Sequence, residues 1–120
     1  MANPVAVPYD FDHSGLVRAP YAQPAPELLI SSVTERRYRG YCVEDMQFFE
    51  KTFSEFNAQK EAIYSLYSGS NLLEQNYIKS NIRFLDDFYA TINNPKKSKS
   101  FFQYPCRSDG TGNIVIKGLK

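Results

Sequence analysis

Between Val43 and Ser68 the chain contains neither glycine nor proline, and this stretch constrains the fold more than any other feature. Its apolar side chains recur at intervals of three, four or seven residues, which places them on one stripe of an α-helix. The pattern predicts one helix of about seven turns that ends at Gly69. The residues of this stripe are Met46, Phe49, Phe53, Phe56, Ile63 and Tyr67.

A second apolar stripe follows after a short connection. The sequence Asn71-Leu72-Leu73-Glu74 can cap the start of its helix, which is expected to run to Ile92 or Asn93. A connection of about three residues makes the two helices antiparallel neighbours. The second stripe is formed by Ile78, Ile82, Leu85, Tyr89 and Ile92, and Leu66, Tyr77 and Phe88 are expected to widen the shared core.

Two shorter helices are predicted from their capping residues. Asn94-Pro95 has the form of an N-cap followed by proline at the first helical position, which predicts a third helix to about Phe102, ended by Pro105. Ser32-Val33-Thr34-Glu35 has the form of a capping box, which predicts a short helix from Val33 to Arg39 stopped by Gly40.

The first 30 residues form a proline-rich segment that we expect to be extended, because each proline fixes φ and removes a donor. Alternation from Val5 to Phe11 predicts a short edge strand that runs into a turn at residues 13–15. The expected fold is therefore mainly α: an extended arm (1–30), a helical domain (31–106) with an antiparallel helix hairpin, and a tail (107–120) in which residues 113–117 could form a strand. The prolines of the arm are Pro4, Pro8, Pro20, Pro24 and Pro26.

Length and charge exclude several classes of protein. The chain has 120 residues, enough for one domain, and its 14 basic and 13 acidic residues give a formal charge of +1. No strong field attracts it to nucleic acid or to an anionic membrane. Its apolar runs are far shorter than the ~20 residues that span a bilayer. We therefore expect no nucleic-acid partner and no insertion into a membrane.

Two cysteines, Cys42 and Cys106, flank the predicted helices, and a helical hairpin returns the chain close to its starting point. A disulfide between them would stabilise the fold by roughly 4 kcal/mol and would indicate an oxidising compartment. Two reduced, half-buried thiols are the alternative, and the residues leave both open. Zinc or nucleophilic chemistry is disfavoured, because His13 is the only histidine.

Asp10 and Asp12 form an Asp-x-Asp pair in the segment Pro8-Tyr9-Asp10-Phe11-Asp12. On an extended backbone their carboxylates point to the same side, where they could share a hard cation such as Mg²⁺. Ordinary capping of a turn by aspartate side chains is the alternative.

Two basic clusters are the remaining candidates, and both have a simple alternative explanation. Arg36, Arg37 and Arg39, with Tyr38 and Tyr41 close by, could bind an anion, either phosphate or a single-stranded nucleic acid. A solvated helix face explains the same residues. The second cluster is formed by Lys96, Lys97 and Lys99, for which a solvated face is the simpler interpretation.

Several blocks of this sequence resemble the C-terminal third of a family of uncharacterised, exported proteins from Bacteroidetes-type bacteria. The resemblance covers residues 7–107. Those longer proteins resemble atypical kinases of the spore-coat-protein-H and HipA type, in which a Pro-aromatic-Asp-x-Asp segment binds the metal. The blocks are Val7-Pro8-Tyr9-Asp10-Phe11-Asp12-His13-Ser14-Gly15-Leu16-Val17, Ala19-Pro20-Tyr21-Ala22, Ser32 to Cys42, Leu85 to Asn93, Pro95-Lys96-Lys97 and Cys106-Arg107.

The resemblance implies a role for the acidic pair and a place for the chain in a larger protein. Asp10 would be the Mg²⁺ ligand that bridges nucleotide phosphates, and Asp12 would assist it. No residue here corresponds to the nucleotide-clamping lysine or to the catalytic-loop Asp and Asn. We therefore expect a C-terminal portion of a kinase-like protein that is inactive alone, packs against the upstream part and lies in the periplasm or outside the cell. A non-enzymatic helical module that binds a protein partner is the second hypothesis.

Overall fold

The computed structural model describes residues 4–107, and within that range the chain is mainly helical and contains no β-strand. This confirms the predicted fold class. The described chain contains α1 (Glu50–Ala58), α2 (Lys60–Ser68), α3 (Gln75–Ile92) and α4 (Pro95–Phe102), with 3₁₀ turns at Pro26–Leu28, Met46–Phe49 and Tyr104–Cys106.

The chain divides into two compact units between Arg36 and Arg37. The first unit is built from turns and extended segments, and the second contains the four helices. The division falls six residues after the boundary predicted at residue 30.

The first long helix is interrupted, which corrects the prediction of a single continuous element. A 3₁₀ turn at Met46–Phe49 leads into α1, and α1 and α2 are separated by Gln59. In an unbroken helix the Phe56 carbonyl would accept the N–H of Lys60. Here that carbonyl accepts the Tyr89 hydroxyl at 2.7 Å, so a side chain from α3 explains the interruption.

The connection between α2 and α3 is longer than predicted. The helix ends before Gly69, as predicted, but α3 begins at Gln75, so the connection spans residues 69–74. Asn71 does not cap α3. Ser70 Oγ accepts the N–H of Leu72 at 3.2 Å, and this local turn occupies the residues expected to start the helix.

The helices form the predicted antiparallel hairpin. Asn57 of α1 hydrogen-bonds Asn93 at the end of α3, and Tyr64 of α2 donates to Asp86 of α3 at 2.7 Å. The contact made later along the α1–α2 segment, by Tyr64, is to an earlier residue of the α3 segment than the contact made by Asn57. The two segments therefore run antiparallel. The Phe56 and Phe88 rings also contact each other, with centroids 5.0 Å apart.

The core of the second unit is small and aromatic. The Phe49 ring packs against the rings of Tyr38, Phe53 and Phe102, with centroids 4.9 to 5.9 Å apart. Leu66 does not widen this core, because it is 72% exposed on α2. The buried apolar side chains are Phe49, Ile78, Tyr89, Ile92 and Tyr104.

Helix α4 forms as predicted, from Pro95 to Phe102. The Asn94 side chain accepts the backbone N–H of Lys97 at 3.0 Å, so it is the N-cap. A 3₁₀ turn that contains Pro105 follows directly.

The short helix predicted from Val33 to Arg39 is wrong, because the capping box does not form. Glu35 Oε1 accepts hydrogen bonds from the backbone N–H and the hydroxyl of Ser31, not from Ser32. Ser32 Oγ accepts the N–H of Thr34, only two residues on, which favours a tight turn. Gly40 ends no helix; a Cβ at this position would overlap the Tyr38 ring.

The predicted edge strand from Val5 to Phe11 is also wrong. No strand forms in the described residues, and Asp10 adopts a left-handed conformation with φ of 60° that ends the extended run. The turn after it does form, since the N–H of Ser14 donates to the Phe11 carbonyl at 2.9 Å. The strand suggested for 113–117 lies outside the described residues.

Candidate functional site

The turn between Asp10 and Ser14 brings the predicted acidic pair together. The Asp10 and Asp12 carboxyl groups lie close enough to shift each other's pKa in opposite directions. The backbone is not extended at Asp10, so the two side chains meet because the chain turns there and not because a strand alternates. The extended backbone expected at this pair is therefore wrong at Asp10, and cation binding by the two carboxylates stays a prediction.

The interaction between the two carboxyl groups separates their pKa values. The pKa of Asp10 is raised above its ordinary value, mainly because its protonated form donates to Asp12. The pKa of Asp12 is lowered, first by that hydrogen bond and then by a second one from Tyr21. The Tyr21 hydroxyl donates to Asp12 Oδ2 at 3.0 Å. Protonation of the pair therefore occurs first at Asp10.

Two further side chains position this pair within the first unit. The Tyr21 ring packs edge-on against the His13 ring, with centroids 5.8 Å apart. His13 Nδ1 accepts the backbone N–H of Gln23 at 3.1 Å, which fixes the imidazole.

One oxygen of the acidic pair lacks a hydrogen-bond donor. Asp12 Oδ1 is shielded from solvent and accepts no hydrogen bond, so a cation would satisfy it. Mg²⁺ sites of this kind use one or two carboxylates, with substrate phosphates and water as the other ligands. In the described residues no group of three or more His, Cys, Asp or Glu side chains could hold a metal alone.

The cysteine alternatives are resolved in favour of a disulfide. Cys42 and Cys106 are bonded, their Cα atoms lie 4.8 Å apart, and no cysteine remains free. The disulfide joins the segment that precedes the 3₁₀ turn at Met46–Phe49 to the 3₁₀ turn at Tyr104–Cys106.

Arg37 and Arg39, two members of the predicted cluster of Arg36, Arg37 and Arg39, have different surroundings, and anion binding by this cluster stays a prediction. Arg36 belongs to the first unit and Arg37 to the second. The guanidinium carbon of Arg37 lies 4.1 Å from the centre of the Tyr104 ring, while Arg39 is exposed and lines neither of the depressions described below.

Arg37 instead lines a groove together with basic residues that are distant in sequence. The groove has a volume of about 670 Å³, and we call it the basic groove. Lys96 and Lys97 come from the first turn of α4, while Lys99 lines a separate depression. The charged residues of the basic groove are Arg37, Asp87, Lys96, Lys97 and Arg107.

Sequence reasoning gave no role to Tyr21, Tyr104 or Arg107. Tyr21 lies in one of the sequence blocks that carry the resemblance, but nothing in that block predicts its hydrogen bond to Asp12. Tyr104 is 6% exposed, and its ring contacts both Arg37 and Arg107. The helical repeat of apolar residues gives no signal for Tyr104, because this residue lies beyond the end of α4.

Comparisons with known proteins add no family assignment, since no family model, curated protein or solved structure matches the chain. Among residues 4–107, no helix has the length and apolar character needed to cross a membrane.

Proposed function

We propose that this chain is the C-terminal helical portion of an atypical kinase-like protein and supplies its Mg²⁺-binding Asp-x-Asp segment. The observation that carries the proposal is the convergence of the Asp10 and Asp12 carboxyl groups, with one Asp12 oxygen left without a donor. The resemblance to the Pro-aromatic-Asp-x-Asp segment of spore-coat-protein-H and HipA-type kinases supports the same assignment.

In this role the two aspartates would hold Mg²⁺ against the phosphates of a nucleotide. The ion would neutralise charge on the transferred phosphoryl group, which is its usual contribution in kinases. Tyr21 would orient Asp12 by donating its hydroxyl hydrogen to Oδ2. We expect no phosphoryl transfer by this chain alone, because none of its residues corresponds to the clamping lysine or the catalytic-loop Asp and Asn.

The test is Mn²⁺ binding to the full chain, measured by paramagnetic broadening of amide signals in NMR spectra. We expect broadening centred on residues 10–13, saturable, and stronger with a nonhydrolysable ATP analogue present. Asp10→Asn and Asp12→Asn should each weaken binding by about tenfold or more, because removing ligands or their supporting groups commonly costs this much.

Glu61→Gln is the matched control, because it removes one carboxylate from an exposed position on α2. It should leave Mn²⁺ binding unchanged. Equal broadening in the wild type, Asp10→Asn and Asp12→Asn would reject the metal site and with it the kinase-like role.

A helical protein-interaction module is the second candidate, and exposed apolar side chains favour it. Val5 is 83% exposed, Val7 74% and Tyr9 82%, and this apolar arm could bind a protein partner. This function requires no aspartate-dependent metal binding, so the Mn²⁺ experiment separates the two candidates.

We also propose that the protein resides in an oxidising compartment, the periplasm or the extracellular space. The Cys42–Cys106 bond supports this location, because disulfides persist where thiols are not kept reduced. A thiol assay on protein isolated without reductant tests it. Zero titratable thiols are expected in the denatured chain, and two would contradict the location.

A further inference from the structure

The basic groove concentrates positive charge that the sequence distributes over 70 residues. Four cationic side chains, those of Arg37, Lys96, Lys97 and Arg107, share the groove with one carboxylate, Asp87. Three positive charges are therefore in excess, which exceeds the formal charge of +1 on the whole chain. The fold therefore gathers positive charge in this groove, although the chain as a whole is almost neutral.

The two lysines occupy positions that favour an anion. Lys96 and Lys97 are the second and third residues of α4, at the end of the helix where the backbone dipole is positive. Cations are unfavourable there unless a negative group lies close by, and acidic residues are the usual occupants of a first turn. The first turn of α4 contains no acidic residue.

The two arginines are held by an aromatic support. The guanidinium carbons of Arg37 and Arg107 lie 4.1 and 4.6 Å from the centre of the Tyr104 ring. Tyr104 is 6% exposed, and Arg107 directly follows Cys106 of the disulfide. Both arginines are therefore positioned before any ligand arrives, which lowers the entropy cost of binding.

The volume and charge of the groove define the class of its ligand. About 670 Å³ lies within the range of small-molecule sites. Each phosphate group carries about −1.5 to −2 charges near neutral pH, so two groups are needed to balance the excess of three. Arginine binds phosphate through paired N–H donors, and lysine contributes a point charge.

We propose that the basic groove binds a small ligand with two phosphate groups, such as a diphosphate ester or pyrophosphate. Phe101, which also lines the groove, would contact the carbon skeleton of an ester. This site lies within residues 37–107 and uses neither Asp10 nor Asp12, so it is independent of the metal site proposed above.

The test is calorimetric titration of the full chain with pyrophosphate at pH 7 without divalent cations. We expect saturable one-to-one binding that weakens as salt is raised and that is at least tenfold tighter than binding of orthophosphate. The double variant Lys96→Gln/Lys97→Gln should lose at least tenfold in affinity. Both lysines are exposed, so the variant should keep the helical spectrum of the wild type.

The matched control is Lys79→Gln/Lys99→Gln, which removes the same charge and includes a lysine of the same helix that lies outside the groove. It should change affinity less than twofold. Equal losses in the two variants would reject the groove in favour of general charge attraction. Absence of saturable binding, or displacement of pyrophosphate by a short oligothymidylate at lower concentration, would also overturn the proposal.

Discussion

Asn57 and Asn93 exchange two amide hydrogen bonds between the ends of α1 and α3, with N···O distances of 2.8 and 2.9 Å. Each amide donates once and accepts once, so a shift of one helix along the other breaks both bonds. The pair therefore fixes the register of the hairpin from its open end.

We expect a double-mutant cycle on Asn57→Ala and Asn93→Ala to give a coupling free energy of about 1 kcal/mol. Asn57→Ala alone should lower the free energy of unfolding by less than this coupling energy, because alanine is the better helix former within α1. Urea unfolding measures the free energies. The control cycle pairs Asn57→Ala with Asn71→Ala, and its two changes in unfolding free energy should be additive. If the Asn57 and Asn93 changes were also additive, the two side chains would not be coupled.

Phe49 is expected to contribute far more to stability than its neighbour Phe48, although both rings are in contact with each other. Phe49 is 6% exposed, whereas Phe48 is 68% exposed. Phe49→Ala should therefore lower the free energy of unfolding by about 3 kcal/mol, the usual cost of emptying a buried phenylalanine site. Phe48→Ala should cost below about 1 kcal/mol. Similar midpoints of thermal unfolding for the two variants would refute this difference.

Removal of the disulfide should destabilise the second unit strongly. Cys42 and Cys106 are separated by 64 residues, so the bond restricts a long loop in the unfolded chain. On the chain-entropy model, Cys42→Ser/Cys106→Ser should lower the free energy of unfolding by about 4 kcal/mol. Reduction of the wild type should lower stability by a similar amount, and the reductant should have no effect on the double variant.

Tyr64 should make the protein sensitive to alkaline pH. Burial and the hydrogen bond to Asp86 raise the pKa of Tyr64 above its ordinary value of 10. Its pKa is therefore higher in the folded state than in the unfolded state. Its contribution to stability is present below pH 10 and is lost progressively as the pH rises above that value.

Tyr64→Phe should lower stability by about 1 kcal/mol at pH 7, since it removes one hydrogen bond to a carboxylate. Above pH 10 its stability should decline less steeply than that of the wild type. Denaturant midpoints measured from pH 7 to 11 test both effects, with Tyr41→Phe, a change at a residue that is 91% exposed, as the pH 7 control. Parallel pH profiles for the wild type and Tyr64→Phe would exclude Tyr64 as the cause.

Elements whose signals are local were predictable from the sequence. The bounds of α4 follow from Asn94 and Pro95, because an N-cap and a proline at the first helical position act within one turn. The antiparallel hairpin was predicted from the apolar stripes and a short connection, and it forms although the connection, residues 69–74, is longer than expected. The disulfide was one of two open alternatives, because its formation depends on how the helices return the chain.

Elements set by distant residues were not predictable. The interruption at Gln59 depends on Tyr89, which is 33 residues from the carbonyl that it occupies. The acidic pair was found because its spacing is local, but Tyr21, nine residues from Asp12, carries no signal of its own. The basic groove joins Arg37 to Arg107, and no local pattern relates the two.

The bond between Cys42 and Cys106 closes a covalent ring that contains all four helices. Tension applied to the two ends of the polypeptide would therefore pass directly between two Cα atoms 4.8 Å apart, and the ring would carry none of it. A protease cut at the α2–α3 connection would likewise leave both pieces tethered as one molecule until a reductant released them.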